Sequence, residues 1–161
     1  MSESENDQFS WRDTYFVWFT SSRRPTMAEV EKVLRSLPDK YGVEHPEQDE
    51  AGRFDSITLQ SPLDHAVLEV SYLEGPDIRE QAQTLAEELK AAGDCEPAQL
   101  HRLAQCDARF DVMQFERLET GDDDEDLEDE MFDPSALLVV MQALTKLVGG
   151  IGVDPQSGLV V

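Results

Sequence analysis

Apolar and polar positions change their period several times along the 161 residues, and each change marks a predicted element. Thr14 to Ser21 carries Tyr15, Phe16, Val17, Trp18 and Phe19 without interruption. Consecutive side chains of a strand point to opposite faces, so this run predicts a central strand covered on both sides. Thr26 with Glu29 three residues later is a reciprocal capping pair, and Val30, Val33, Leu34 and Leu37 follow at helical spacing until Pro38. A helix is expected there. Asp39 to Arg53 contains Gly42, Pro46 and Gly52 and has no period, so it reads as a surface loop with a short extended piece near Val43.

Two alternating segments come next. Ile57 and Leu59 alternate with Ser56, Thr58 and Gln60; after a turn at Ser61 to His65, Ala66, Leu68, Val70 and Tyr72 alternate with Glu69 and Ser71. Both predict strands with one buried face. Gly75 and Pro76 open a helix whose stripe is Ile78, Ala82, Leu85, Ala86 and Leu89, closed by Gly93, and a short helix is expected from Pro97 to Gln105. In Ala108 to Leu118, Phe110 and Val112 fall on one face and Met113 and Phe115 on the other, which predicts a second central strand. Asp133 and Pro134 then start an apolar helix (Leu137, Leu138, Met141, Leu144, Leu147, Val148) that stops at Gly149 and Gly150. Ile151 to Val161 closes the chain as a small hairpin.

The order strand, helix, strand, strand, helix, strand predicts an α+β fold with a ferredoxin-like split βαβ core (βαββαβ), extended by the C-terminal helix and the hairpin. In that arrangement two helices cover one sheet face, yet the Tyr15–Phe19 run needs cover on both. Each bulky apolar side chain left bare forgoes about 1.5–3 kcal/mol. The Pro134–Val148 helix is therefore expected on the second face, giving three layers. Residues 1–10 are expected to form a polar disordered tail, 11–161 a single domain, and 119–132 an acidic mobile loop within it.

Charge narrows the function classes. The chain holds 13 Lys and Arg against 35 Asp and Glu, a formal net charge of −22. Such a surface repels nucleic acid and anionic leaflets, so neither a nucleic acid nor a membrane is an expected partner, whereas a basic protein or a divalent cation is compatible with it. The Met1–Gln8 segment lacks the basic start and apolar stretch of a secretory signal, and the longest apolar runs are far short of the roughly 20 residues of a membrane-spanning helix. A cytoplasmic location is expected, with Cys95 and Cys106 as thiols.

The densest candidate is the run Asp122, Asp123, Asp124, Glu125, Asp126, Glu128, Asp129 and Glu130, read either as a solvated loop or as a surface that binds a basic partner or a cation. Its alternate carboxylates resemble the spacing of an EF-hand loop, but Leu127 stands where the sharp turn needs glycine, so a dedicated calcium cage is not expected. Cys95, His101 and Cys106, with Asp94 and Asp107, are zinc-compatible residue types without the close cysteine pairs of a structural site. Ser61, Asp64 and His65 are triad residue types crowded into one turn, where a triad needs groups converging from separate elements. The aromatics Trp11, Tyr15, Phe16, Trp18 and Phe19 read as core in preference to a base-stacking platform, because only Arg12, Arg23 and Arg24 lie nearby. Arg23 and Arg24, just ahead of the Thr26 helix start, read either as an anion holder or as a solvated pair.

No catalytic residue, metal site or cofactor is expected from these patterns. Two functional readings stay open. The first is a non-enzymatic interaction module meeting a basic partner, in its sharpest form an inhibitor or antitoxin-like protein that blocks a cationic site. The second is a domain binding a small molecule or a divalent cation, catalytic in its strongest form, with a site between the sheet and the C-terminal helix near His65 or His101. The oligomeric state and the strand order are open as well.

Overall fold

The computed structural model describes residues 9–37, 42–61, 66–93, 95–117, 135–154 and 159–160. Its strands are β1 (Phe9–Phe19), β2 (Gly42–Gln48), β3 (Phe54–Ser61), β4 (Ala66–Glu74), β5 (Ala108–Arg117), β6 (Ile151–Asp154) and β7 (Leu159–Val160). The helices are α1 (Met27–Arg35), α2 (Pro76–Ala92), α3 (Pro97–Ala104) and α4 (Ser135–Val148), with a single 3-10 turn at Ser21–Arg23. All seven strands join one sheet in the order β2-β3-β4-β5-β1-β6-β7, and every pair is antiparallel.

The α+β class agrees with the sequence pattern, but the ferredoxin-like topology does not hold, and the three layers arise differently from the expectation: α4, expected alone on the face opposite α1 and α2, shares a face with α1, and α2 covers the other. A split βαβ core would set β1 directly beside β4, antiparallel to it. Instead β5 lies between them, pairing with β1 from Phe9 opposite Arg117 to Phe19 opposite Ala108, and with β4 from Ala66 opposite Glu116 to Glu74 opposite Ala108. The helices differ too. A split βαβ unit lays its two helices on one face, whereas here α1 and α2 lie on opposite faces.

Side-chain parity explains the layers. Val17 and Phe19 of β1 join Ile57, Leu59, Leu68, Val70, Tyr72, Phe110 and Val112 on the first face, under Met27, Val30 and Leu34 of α1 and Leu137, Val140, Met141, Leu144 and Val148 of α4. The Phe110 ring centroid lies 4.8 Å from that of Phe19, 5.4 Å from Phe54 and 6.3 Å from Tyr72. One residue out of step, Trp18 points the other way, to a second cluster with Ile151 and Val153 of β6, Ile78, Ala82, Ala86 and Leu89 of α2, and Leu103 of α3. The C-terminal hairpin is therefore also part of the main sheet. Its entry is tight, because a Cβ on Gly150 would collide with the carbonyl oxygen of Trp18.

Local signals acted as the sequence suggests at the helix ends. The Glu29 N–H donates to Thr26 Oγ1 at 3.1 Å and the Thr26 N–H to Glu29 Oε1 at 3.0 Å, closing the capping box. Gly93 ends α2 with φ 77°, a left-handed conformation that favours glycine.

Two boundaries differ. β2 occupies part of the expected loop as an edge strand beside β3, with register shifts around His45 (φ 51°) and Pro46. Edge strands carry charge, proline and bulges because one side of their ladder faces water, which is why β2 has no apolar period. β1 begins at Phe9, so Phe9 and Ser10 belong to the sheet and not to the expected tail.

Candidate functional site

The second sheet face is where polar and apolar groups meet in a hollow. On α2, Asp77, Glu80, Gln81, Thr84, Leu85 and Glu88 recur at intervals of three and four residues and so form one stripe along the helix. From Asp77 to Glu88 the stripe runs about 16 Å, at 1.5 Å per residue. It faces Phe16 and Trp18 of β1 and Val153 of β6 across a groove of about 530 Å³. Phe16 and Trp18 meet edge to face, with centroids 5.8 Å apart. Asp77, Glu80 and Glu88 have no ion-pair partner among the described residues, so the groove combines an apolar floor with an uncompensated carboxylate edge.

Beside that floor lies Arg109 of β5, only 8% exposed. Its Nε donates to Asp111 Oδ1 at 2.5 Å, its Nη2 to Asp111 Oδ2 at 3.3 Å and its Nη1 to Gln81 Oε1 at 2.6 Å. The guanidinium also sits 4.1 Å from the centroid of Phe16 and 5.1 Å from that of Trp18. A buried cation needs both charge neutralisation and filled donors. Asp111 and Gln81 supply these, so Arg109 ties α2 to the sheet and fixes the aromatic floor. The Trp18 indole N–H, also buried here, has no acceptor among the described residues.

The groove's side chains offer carboxylates, an amide, a hydroxyl and aromatic surface. These groups attract cations and apolar matter. A second hollow, about 490 Å³, follows α4 beside Leu37, Leu138 and Val139, and among the described residues no carboxylate lines it. No protein-family model, curated protein or solved structure matches the chain. The functional reading therefore rests on this geometry alone.

The run Asp122–Glu130 lies outside the described residues, as do Asp64, His65 and Asp94. His101 is exposed on α3, its Nε2 3.0 Å from Gln105 Nε2, on the sheet face opposite α4. Cys95 is half-buried and Cys106 buried. Burial pushes the Cys106 thiol from 9.0 up to about 12; Arg102 acts against the shift and Asp107 adds to it. That thiol stays protonated at neutral pH and is a poor nucleophile. Among the described residues no group of three His, Cys, Asp or Glu is placed to hold a metal ion, and no helix is long and apolar enough to cross a membrane.

Of the aromatic run, Phe19 and Tyr15 pack into the first-face core, while Phe16 and Trp18 line the groove. Arg24 separates from Arg23: it donates through Nε and Nη2 to the Phe54 carbonyl at 3.0 and 2.8 Å, approaches Asp49 and Asp55 at 3.7 and 3.9 Å, and lies over the Tyr72 ring. Sequence reasoning missed Arg109 and the α2 carboxylates. The polar face of α2 did carry a signal, since its acids recur at the helical period, and Arg109 stood two residues from Asp111 within a strand otherwise read as central.

Proposed function

We propose that the chain is a non-enzymatic protein-interaction module that meets a basic partner, with the α2 groove as its docking surface. The observation that supports this is the pairing of an apolar floor (Phe16, Trp18, Leu85, Val153) with the carboxylates Asp77, Glu80 and Glu88 along one edge, which have no ion-pair partner among the described residues. Exposed ion pairs contribute only about 0.2–1 kcal/mol each. The carboxylates therefore serve to steer and select a cationic partner, and the half-buried Phe16 and Leu85 add apolar contact, backed by Trp18 and Val153, which are already buried. An inhibitor or antitoxin-like protein that covers a cationic site is the narrower form of the same reading.

The test is retention of partners from the protein's own cytosol on immobilised full-length chain at low and high salt, with a Glu80→Lys/Glu88→Lys variant in parallel. Both residues are exposed, so the variant is expected to fold like the parent. The expected result is a salt-sensitive partner that the variant loses at least tenfold. No such partner, together with a rise in melting temperature on adding one member of a metabolite and metal panel, would move the reading to a ligand-binding domain.

A further inference from the structure

Three arginines of this acidic chain have carboxylate partners among the described residues: Arg24 approaches Asp49 and Asp55, Arg53 pairs with Asp49, and Arg109 with Asp111. Two others converge on a different neighbour. Arg102 of α3 donates from Nη2 to the Gly149 carbonyl at 2.8 Å. The Arg23 guanidinium lies 3.1–3.6 Å from where a Cβ on Gly149 would stand, and it has no hydrogen-bond or ion-pair partner among the described residues. Both border a pocket of about 150 Å³ with Thr20, Gln105 and Gly150, and among the described residues no carboxylate lines it. Asp107, close in sequence to that wall, has its oxygens engaged by the Ser21 N–H at 2.7 Å and the Ser21 hydroxyl at 2.9 Å.

We infer that this pocket, between the Ser21–Arg23 turn, α3 and the C-terminal end of α4, is a binding site for a small oxyanion of the phosphoryl class. Two guanidiniums present forked donors that match tetrahedral oxygens, and Arg102 keeps most of its donors after capping Gly149. The pocket is well below the roughly 300–1,000 Å³ of sites for larger ligands. The net charge of −22 does not forbid it, because at physiological salt charges farther than about 8 Å are largely screened and the local cations dominate. A polynucleotide is a different matter, since its many phosphates would meet the anionic remainder of the surface. The inference is independent of the α2 groove, which shares only Trp18 with this pocket and is lined by carboxylates.

An ¹⁵N-resolved NMR titration of the full chain at neutral pH tests it, with sodium phosphate in one arm, O-phosphoserine in a second, and sodium chloride at matched ionic strength as the reference. Saturable shifts of the Thr20, Gln105, Gly149 and Gly150 amides are expected with the phosphoryl ligands and not with chloride. Arg23→Gln, on an exposed side chain, is expected to melt like the parent and to bind roughly tenfold more weakly, the loss of one charge-assisted contact. Arg79→Gln, on the exposed side of α2, is expected to bind like the parent. Tighter binding of O-phosphoserine than of phosphate would identify a phosphorylated side chain as the natural source, and the reverse order free phosphate. Shifts that track ionic strength alone, or an Arg23→Gln protein that binds as well as the parent, would show that the two arginines only complement the carbonyl end of α4 and would overturn the inference.

Discussion

The two faces of the sheet are built on different principles. The first is closed by α1 and α4 and filled with aliphatic side chains around the rings of Phe19, Phe54, Tyr72 and Phe110. The second is smaller, packs alanines of α2 against Trp18, and admits a charged group, Arg109, at its margin. Apolar packing without polar atoms gives stability with little selectivity, whereas a buried cation needs particular partners at particular places. The groove lies on the second face because there α2 leaves Phe16 of the sheet only half-covered.

The largest effect that would expose this difference is Phe110→Ala. Removing a ring buried among three others is expected to destabilise the fold by about 3–5 kcal/mol, read as a lower urea midpoint with an unchanged slope. Asp111→Ala comes next. It strips the carboxylate from a nearly buried guanidinium, for an expected loss of about 1.5–3 kcal/mol, and the pairing of Arg109→Met with Asp111→Leu is expected to recover most of it. If Asp111→Ala alone is neutral, the second face does not depend on its ion pair and the contrast fails.

The smallest effect is a pH dependence. The folded state holds the Cys106 thiol neutral up to about 12, against 9.0 when solvated, so its contribution is complete below pH 9.0 and is lost as the pH climbs toward 12. Tyr72 on the first face behaves in the same sense. Burial raises its phenol above 10.0, and its donation to the Glu74 carboxylate adds to the shift. A Cys106→Ala variant is expected to flatten only the second-face share of the alkaline decline in melting temperature, which a pH series of thermal melts would resolve.

Much of the fold was legible because hydrophobic period reports burial directly. The two-faced run Tyr15–Phe19 and the alternation of β3 and β4 placed those strands, and Thr26 with Glu29 placed the start of α1. Strand order was not legible, because the pattern says that β1 and β5 are each covered on both faces but not which strand lies beside which. β2 escaped because an edge strand needs no apolar face. The groove was half visible, in the periodic acids of α2, but its aromatic wall is indistinguishable from core in a one-dimensional pattern. Only the tertiary placement of α2 leaves Phe16 and Trp18 at the edge of cover. The Arg23–Arg102 pocket joins residues 79 positions apart, and nothing in either local sequence points to the other.

The pairing of β1 with β5 has a consequence for how the chain is made. Thr14 lies opposite Met113, 99 residues later. At about 5–20 residues per second of synthesis, the N-terminal strand leaves the ribosome on the order of 5–20 s before its partner exists. During that interval Tyr15 to Phe19 is an apolar ribbon with both edges unpaired, so a holding chaperone is expected to engage the nascent chain there and release it only once β5 has emerged.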